Sequence, residues 1–174
     1  MQLIKKRLIN GIPDRREGFE LLKVFAHLFE TQCLLSAGFT FTLATWQTTN
    51  AIPYLINGVT YTKAAVTTQA VPAALAWAGV AGTFNTGAFV VAADITGALT
   101  TFTSAVTAST ISAANSLASL VWPVIPETFC VLGAVIIQST TANTTFTPGT
   151  TVLNAAGITT TFINTVGPFY PAIA

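Results

Sequence analysis

The sequence predicts a mainly β protein, an antiparallel β-sandwich or barrel-like domain with an N-terminal α-helix and an extended arm. Three observations carry that expectation. Residues 54–61 read Tyr-Leu-Ile-Asn-Gly-Val-Thr-Tyr, and Asn-Gly between two β-prone runs is the strongest short-range hairpin signal. Phe39-Thr40-Phe41-Thr42-Leu43 alternates apolar and polar with period two, the pattern of a half-buried strand. Thr and Ala together supply about a third of the 174 residues, and Thr is β-branched and favours strands.

Along the chain, residues 1–13 read as an arm, with Lys5, Lys6 and Arg7 followed by a turn at Gly11-Ile12-Pro13. Asp14 is a good N-cap, with Glu17 three residues on as in a capping box. Leu21, Leu22, Phe25, Leu28 and Phe29 then recur at helical spacing, opposite Arg16, Glu20, Lys23, His27 and Glu30. A helix over about 15–35, ending near Gly38, follows. Its stripe suits either the protein's own core or a neighbouring subunit. This divides the chain into an attachment region, 1–38, and a β-rich body, 39–174.

Within the body, Asn57 and Gly58 form the expected hairpin turn. Residues 64–82 suit a loop or a short helix. Residues 84–92 read as a strand around a turn at Asn85-Thr86-Gly87. Residues 96–120, mostly Thr, Ser and Ala, are compatible with strand pairs or helix. Pro123 and Pro126 mark a break, and the apolar, β-prone run 129–138 reads as a central strand. Residues 144–152 surround a turn at Pro148-Gly149, and 158–163 alternates again. The tail Gly167-Pro168-Phe169-Tyr170-Pro171 is extended.

Charge is the informative part of the composition. Charged residues make up 7% of the chain, against roughly 25% in an ordinary soluble domain. Ten of the thirteen lie within residues 1–30, and only Lys63, Asp94 and Glu127 follow. A free monomer with such a surface has little charge repulsion to keep it dispersed. Coverage by partners in an assembly, or a place in lipid, would account for it. Abundant Thr favours the first, since lipid-facing segments need Leu, Ile and Phe. The most apolar stretch, about 21–43, contains Lys23, His27, Glu30 and Gly38 and does not suit a membrane helix. No membrane partner is expected. With a net charge of +1, and with Asp14, Glu17 and Glu20 diluting the basic cluster of Lys5, Lys6, Arg7, Arg15 and Arg16, no nucleic-acid partner is expected either.

Little in the sequence points to catalysis. The single histidine, His27, has no evident partner. Cys33 lies six residues on, about 240° around a helix. Cys33 and Cys130 match no metal or redox spacing and read as buried free thiols. There is no phosphate-binding glycine loop, HExxH or CxxC. Asp94 reads as a turn residue and Glu127 as a loop residue. The expectation is a protein that is not an enzyme and uses no cofactor and no metal.

Three segments carry a resemblance. Ile56-Asn57-Gly58-Val59-Thr60-Tyr61-Thr62-Lys63-Ala64-Ala65 comes first, then the Pro-rich approach 123–127 into Gly133-Ala134-Val135-Ile136-Ile137, then Phe-Thr-Pro-Gly-Thr-Thr-Val-Leu-Asn-Ala-Ala-Gly-Ile-Thr over 146–159. In order and rough spacing, over about 54–163, the chain resembles a group of tailed-bacteriophage virion structural proteins. The resemblance implies a virion role, as a capsid decoration (cement) protein or a head fibre, and no catalytic site.

The sequence therefore sets up the expectation of a homo-oligomer, a trimer first, on the capsid surface and bound to the major capsid protein. Its attachment residues would be Lys5, Lys6, Arg7, Arg15, Arg16, Phe25 and Phe29. A receptor- or glycan-binding fibre, with Trp46, Tyr54, Tyr61, Trp77 and Trp122 as candidate sugar-stacking rings, is the first alternative. A membrane-associated protein, suggested by the mean hydropathy of +0.65, is the second.

Overall fold

A computed structural model describes residues 31–167. Eleven strands run in the order β1 (Gln32–Cys33), β2 (Phe39–Thr42), β3 (Thr45–Thr48), β4 (Ile52–Ile56), β5 (Val59–Lys63), β6 (Gln69–Ala70), β7 (Phe84–Ala93), β8 (Leu99–Thr103), β9 (Thr107–Ser109), β10 (Cys130–Ser139) and β11 (Ile158–Asn164). A 3-10 turn covers Ala73–Leu75, and a short helix α1 covers Ala113–Ala118. They form two three-stranded sheets, β1-β4-β5 and β2-β3-β6, and one large sheet ordered β11-β10-β7-β8, with β9 also on β7. All strand pairs are antiparallel. The architecture is mainly β and sandwich-like.

The β4–β5 hairpin forms where the sequence places it. Asn57 and Gly58 have φ of 51° and 74°. Two consecutive left-handed residues are what a two-residue type I′ turn requires, and its twist matches that of the flanking strands. The register follows, with Ile56 opposite Val59 and Tyr54 opposite Tyr61.

β7 and β10 are the centre of the large sheet and are buried almost throughout. One face of this sheet meets the two small sheets in a core that includes Trp46, Ile52, Tyr54, Phe89, Leu132 and Ile137. On the other face, Val90, Val131 and Ala134 lie under Trp122, Ile125 and Ile163. β10 changes phase along its length. Cys130 and Leu132 point into the main core, and further on Val135 and Ile137 do. The switch coincides with a register shift against β7 between Val131 and Gly133. A bulge adds one residue, so the alternation turns over without exposing the second half of the strand.

Several expectations need correction. The helix reaching residue 35 is not seen in its last turn: Gln32 and Cys33 pair with Leu55 and Tyr54, and Cys33 is fully buried. Its earlier turns fall outside the described residues. No turn interrupts β7. Asn85-Thr86-Gly87 runs straight through it, and Gly87 is there because the Leu75 side chain lies 2.9 Å from where a β-carbon would stand. The turn at Gly149 is present (φ 77°), but its flanks join no sheet beyond a single bridge between Phe146 and Trp77. Residues 96–120 resolve into β8, β9 and α1 together. β3 has no counterpart in the sequence reading, because the turn before it uses Leu43 at φ 55°, an unusual residue for that conformation.

Candidate assembly surface

Of the attachment and turn candidates from the sequence, Asn57 and Gly58 fall within the described part of the chain. Lys5, Lys6, Arg7, Arg15, Arg16, Phe25, Phe29 and His27 lie outside the described residues, 31–167. Both ends of that part meet: Gly167 N–H donates to the Cys33 carbonyl at 2.7 Å. The segments carrying those candidates on one side, and the Pro-rich tail on the other, therefore join the body at one place.

Chemistry-bearing groups do not converge in the body. Among the described residues, no three of His, Cys, Asp and Glu come together. Asp94 closes the β7–β8 turn. Its Oδ1 accepts from Thr96 Oγ1 at 2.7 Å and from the Thr96 and Ala98 amides at 2.8 and 3.0 Å. The Thr96 hydroxyl, and then these backbone donors, hold the carboxyl below its usual range. The Tyr54 hydroxyl donates to the Asp94 carbonyl at 2.8 Å, tying that turn to the β4–β5 hairpin. Cys33 and Cys130 are both free and buried. Burial, with the Cys33 thiol nearby as a second cause, pushes Cys130 up to about 12, and burial likewise raises Cys33. Neither thiol has the electropositive, accessible setting of a nucleophile.

Around α1, polar packing uses neutral groups. α1 begins at Ser112, whose Oγ accepts from the Asn115 amide at 3.2 Å. It is then fastened to the large sheet. Ser116 Oγ and Thr86 Oγ1 are 2.7 Å apart, Thr107 Oγ1 donates to the Ser116 carbonyl at 2.6 Å, and Gln138 Nε2 donates to the Ala113 carbonyl at 2.5 Å. Thr86 and Ser116 are fully buried. Hydroxyls and amides here satisfy one another without any charge.

Exposed apolar side chains flank this anchored unit along the chain. Ile111, just before α1, is 76% exposed, and Val121 and Val124, beyond it, are 70% and 89% exposed. Val121 and Val124 stand out while Trp122 and Ile125 pack inward, so the stretch 121–125 repeats with a period of three. That spacing suits an extended, polyproline-like strap, and it is the signal in Val-Trp-Pro-Val-Ile-Pro that strand and helix templates miss. Residues 95–126 contain no charged side chain. The aromatics offered as sugar platforms are mostly inside: Trp46 and Tyr54 are fully buried and Trp77 nearly so. Trp77 packs against Phe146 at 4.9 Å, and Tyr61 stacks on Tyr54 at 5.6 Å.

Compared with models of known families, with curated proteins and with solved structures, the chain matches none.

Proposed function

We propose that this protein is a virion structural subunit, a capsid decoration protein that binds the major capsid protein and stabilises the shell. The observation that carries the reading is the charge-poor, apolar-bearing exterior of a well-packed β body. From residue 31 on, the chain has only Lys63, Asp94 and Glu127, while Ile111, Val121 and Val124 stand open on the surface. Such side chains gain about 25 cal/mol per Å² when partners cover them, before association costs. Repeated contacts on one particle then add avidity. The virion itself comes from the resemblance of the 56–65, 133–137 and 146–159 segments to tailed-phage proteins. The charged N-terminal segment, with Lys5, Lys6, Arg7, Arg15, Arg16, Phe25 and Phe29, is the proposed attachment region.

Burial of Trp46, Tyr54 and Trp77 disfavours a glycan-binding fibre that uses those rings. Among the described residues, no helix is long and apolar enough to cross a membrane. The test is deletion of the gene from the virus that carries it. Particles lacking the protein are expected to rupture at lower temperature or salt stress than complete ones. Equal resistance of the two particle types overturns the decoration role.

A further inference from the structure

Hydrogen bonding along β8 is fixed in phase by its two ends. Asp94 N–H donates to the Ala98 carbonyl, and Ser104 N–H donates to the Ala88 carbonyl. With Ala92 opposite Thr100 and Val90 opposite Phe102, alternate residues of an antiparallel pair bond inward. Thr100 and Phe102 therefore bond to β7. The N–H and C=O groups of Leu99, Thr101 and Thr103 point the other way, and no hydrogen bond reaches them among the described residues.

An open edge of this kind is a template for another strand unless it is short, charged, bulged or interrupted by proline. The other edges of the body are each blunted or met. β5 carries Lys63, while β1 and β6 have two residues each and β9 three. β2 and β11 face each other: the Phe39 N–H donates to Asn164 Oδ1 at 3.0 Å, and Phe162 stacks on Phe39 and Phe41. β8 reads Leu-Thr-Thr-Phe-Thr, with no charge, no proline and a regular register over its whole length.

We propose that β8 is a self-association edge, pairing antiparallel with β8 of a second copy across a two-fold axis at Thr101. This gives the assembly reading above its first interface and rests on that reading for its biological setting. The occupant follows from the residues. Centred on Thr101, the pairing sets Thr101 opposite Thr101, Leu99 opposite Thr103 and Thr100 opposite Phe102. Each of the three outward-facing residues then finds a donor and an acceptor on the other copy. The side chains match by face as well: Leu99 packs toward the main core, while Phe102 meets Phe129 on the opposite face at 5.2 Å. Thr–Thr and aromatic–β-branched pairs are favourable across strands. A two-fold axis brings identical residues together, so any charge near it would repel its own copy. Residues 95–126 carry none.

The test is Thr101→Pro in the full chain. Proline removes an N–H that faces away from β7, and such positions on edge strands tolerate it. Light scattering after size-exclusion chromatography is expected to give twice the chain mass of 18.2 kDa for the wild type and the single mass for Thr101→Pro, with unchanged circular dichroism. Amide exchange followed by NMR gives a second readout that does not depend on the variant. Thr101 and Thr103 are slow in the wild type if β8 is paired and fast if it is open, whereas Thr100 and Phe102 are slow in either case. An oligomer with fast Thr101 and Thr103 amides, or one whose mass Thr101→Pro leaves unchanged, overturns the edge pairing and leaves the assembly reading standing. A wild-type monomer also overturns the pairing, and capsid rupture then decides the assembly reading separately.

Discussion

Phe39 lies with its ring against the backbone of Gly133. A β-carbon on Gly133 would collide with Phe39 Cε2 and stand 2.5 Å from the Ile163 carbonyl oxygen. Gly133 stands directly after the register shift that turns β10's alternation over. Gly133→Ala is expected to lower stability in urea by about 1–3 kcal/mol, the usual range for overpacking. In a Phe39→Leu background the extra loss from Gly133→Ala should be smaller, because one of the two obstacles has gone. Equal losses in both backgrounds would place the strain at the Ile163 carbonyl alone.

Gly58 tests the turn rather than the core. A β-carbon there meets nothing within 4 Å, so only the backbone conformation at φ 74° opposes it. Gly58→Ala is expected to cost about 1–2 kcal/mol, the left-handed penalty for an L-residue. The melting temperature checks this. Gly82, with φ 72° and equally open surroundings, provides a matched comparison outside the hairpin.

The hydroxyl pair of Thr86 and Ser116 is coupled. Removing one partner strands a buried polar atom and costs about 1–3 kcal/mol, whereas removing both from a well-packed site costs much less than the sum. Ser116→Ala and Thr86→Val together are therefore expected to be less destabilising than the two singles added, in urea unfolding at matched conditions. Strict additivity would show that the two groups do not depend on each other. Gln138 Nε2, 3.3 Å from Thr86 Oγ1, sets the remaining cost in the double variant.

Cys33 and Cys130 should be silent in the folded protein. Neither is expected to react with a thiol reagent at pH 8, and both are expected to react after unfolding in urea. Because burial raises both thiols, the folded state holds its protons to higher pH than the unfolded chain does. Their effect on stability is absent below the ordinary thiol value of 9.0, and stability falls as pH rises from there toward about 12. Denaturant midpoints between pH 8 and 11 measure the decline. A Cys130→Ala variant should lose less over that range than the wild type.

The parts of the fold legible in the sequence are those that local chemistry determines alone. Asn57-Gly58 requires left-handed backbone in two successive residues, and the Phe39–Thr42 and Ile158–Asn164 strands announce themselves by period two. Asn85-Thr86-Gly87 misleads because Gly87 is chosen by a contact with Leu75, twelve positions earlier in a stretch, 64–82, that reads as either a loop or a short helix. Cys33 is drawn into a strand by its partner Tyr54, which local helical spacing does not report. The surface was legible as a deficit of charge in the body, whereas its exposed members, Ile111, Val121 and Val124, depend on which side of the 121–126 strap faces the sheet. The open edge of β8 depends on hydrogen-bond phase and could not be read from Leu-Thr-Thr-Phe-Thr itself.

Whether the charge-poor body is covered in an assembly is tested most directly by its molar mass in detergent-free solution, measured by light scattering over a range of protein concentrations. The expected result is twice 18.2 kDa, from β8 pairing; three times that mass would keep an assembly of the kind the sequence suggests and overturn the pairing. A monodisperse 18.2 kDa species that persists at high concentration would contradict self-assembly, because the exposed Ile111, Val121 and Val124 surface would then be stable in water without a second copy to cover it.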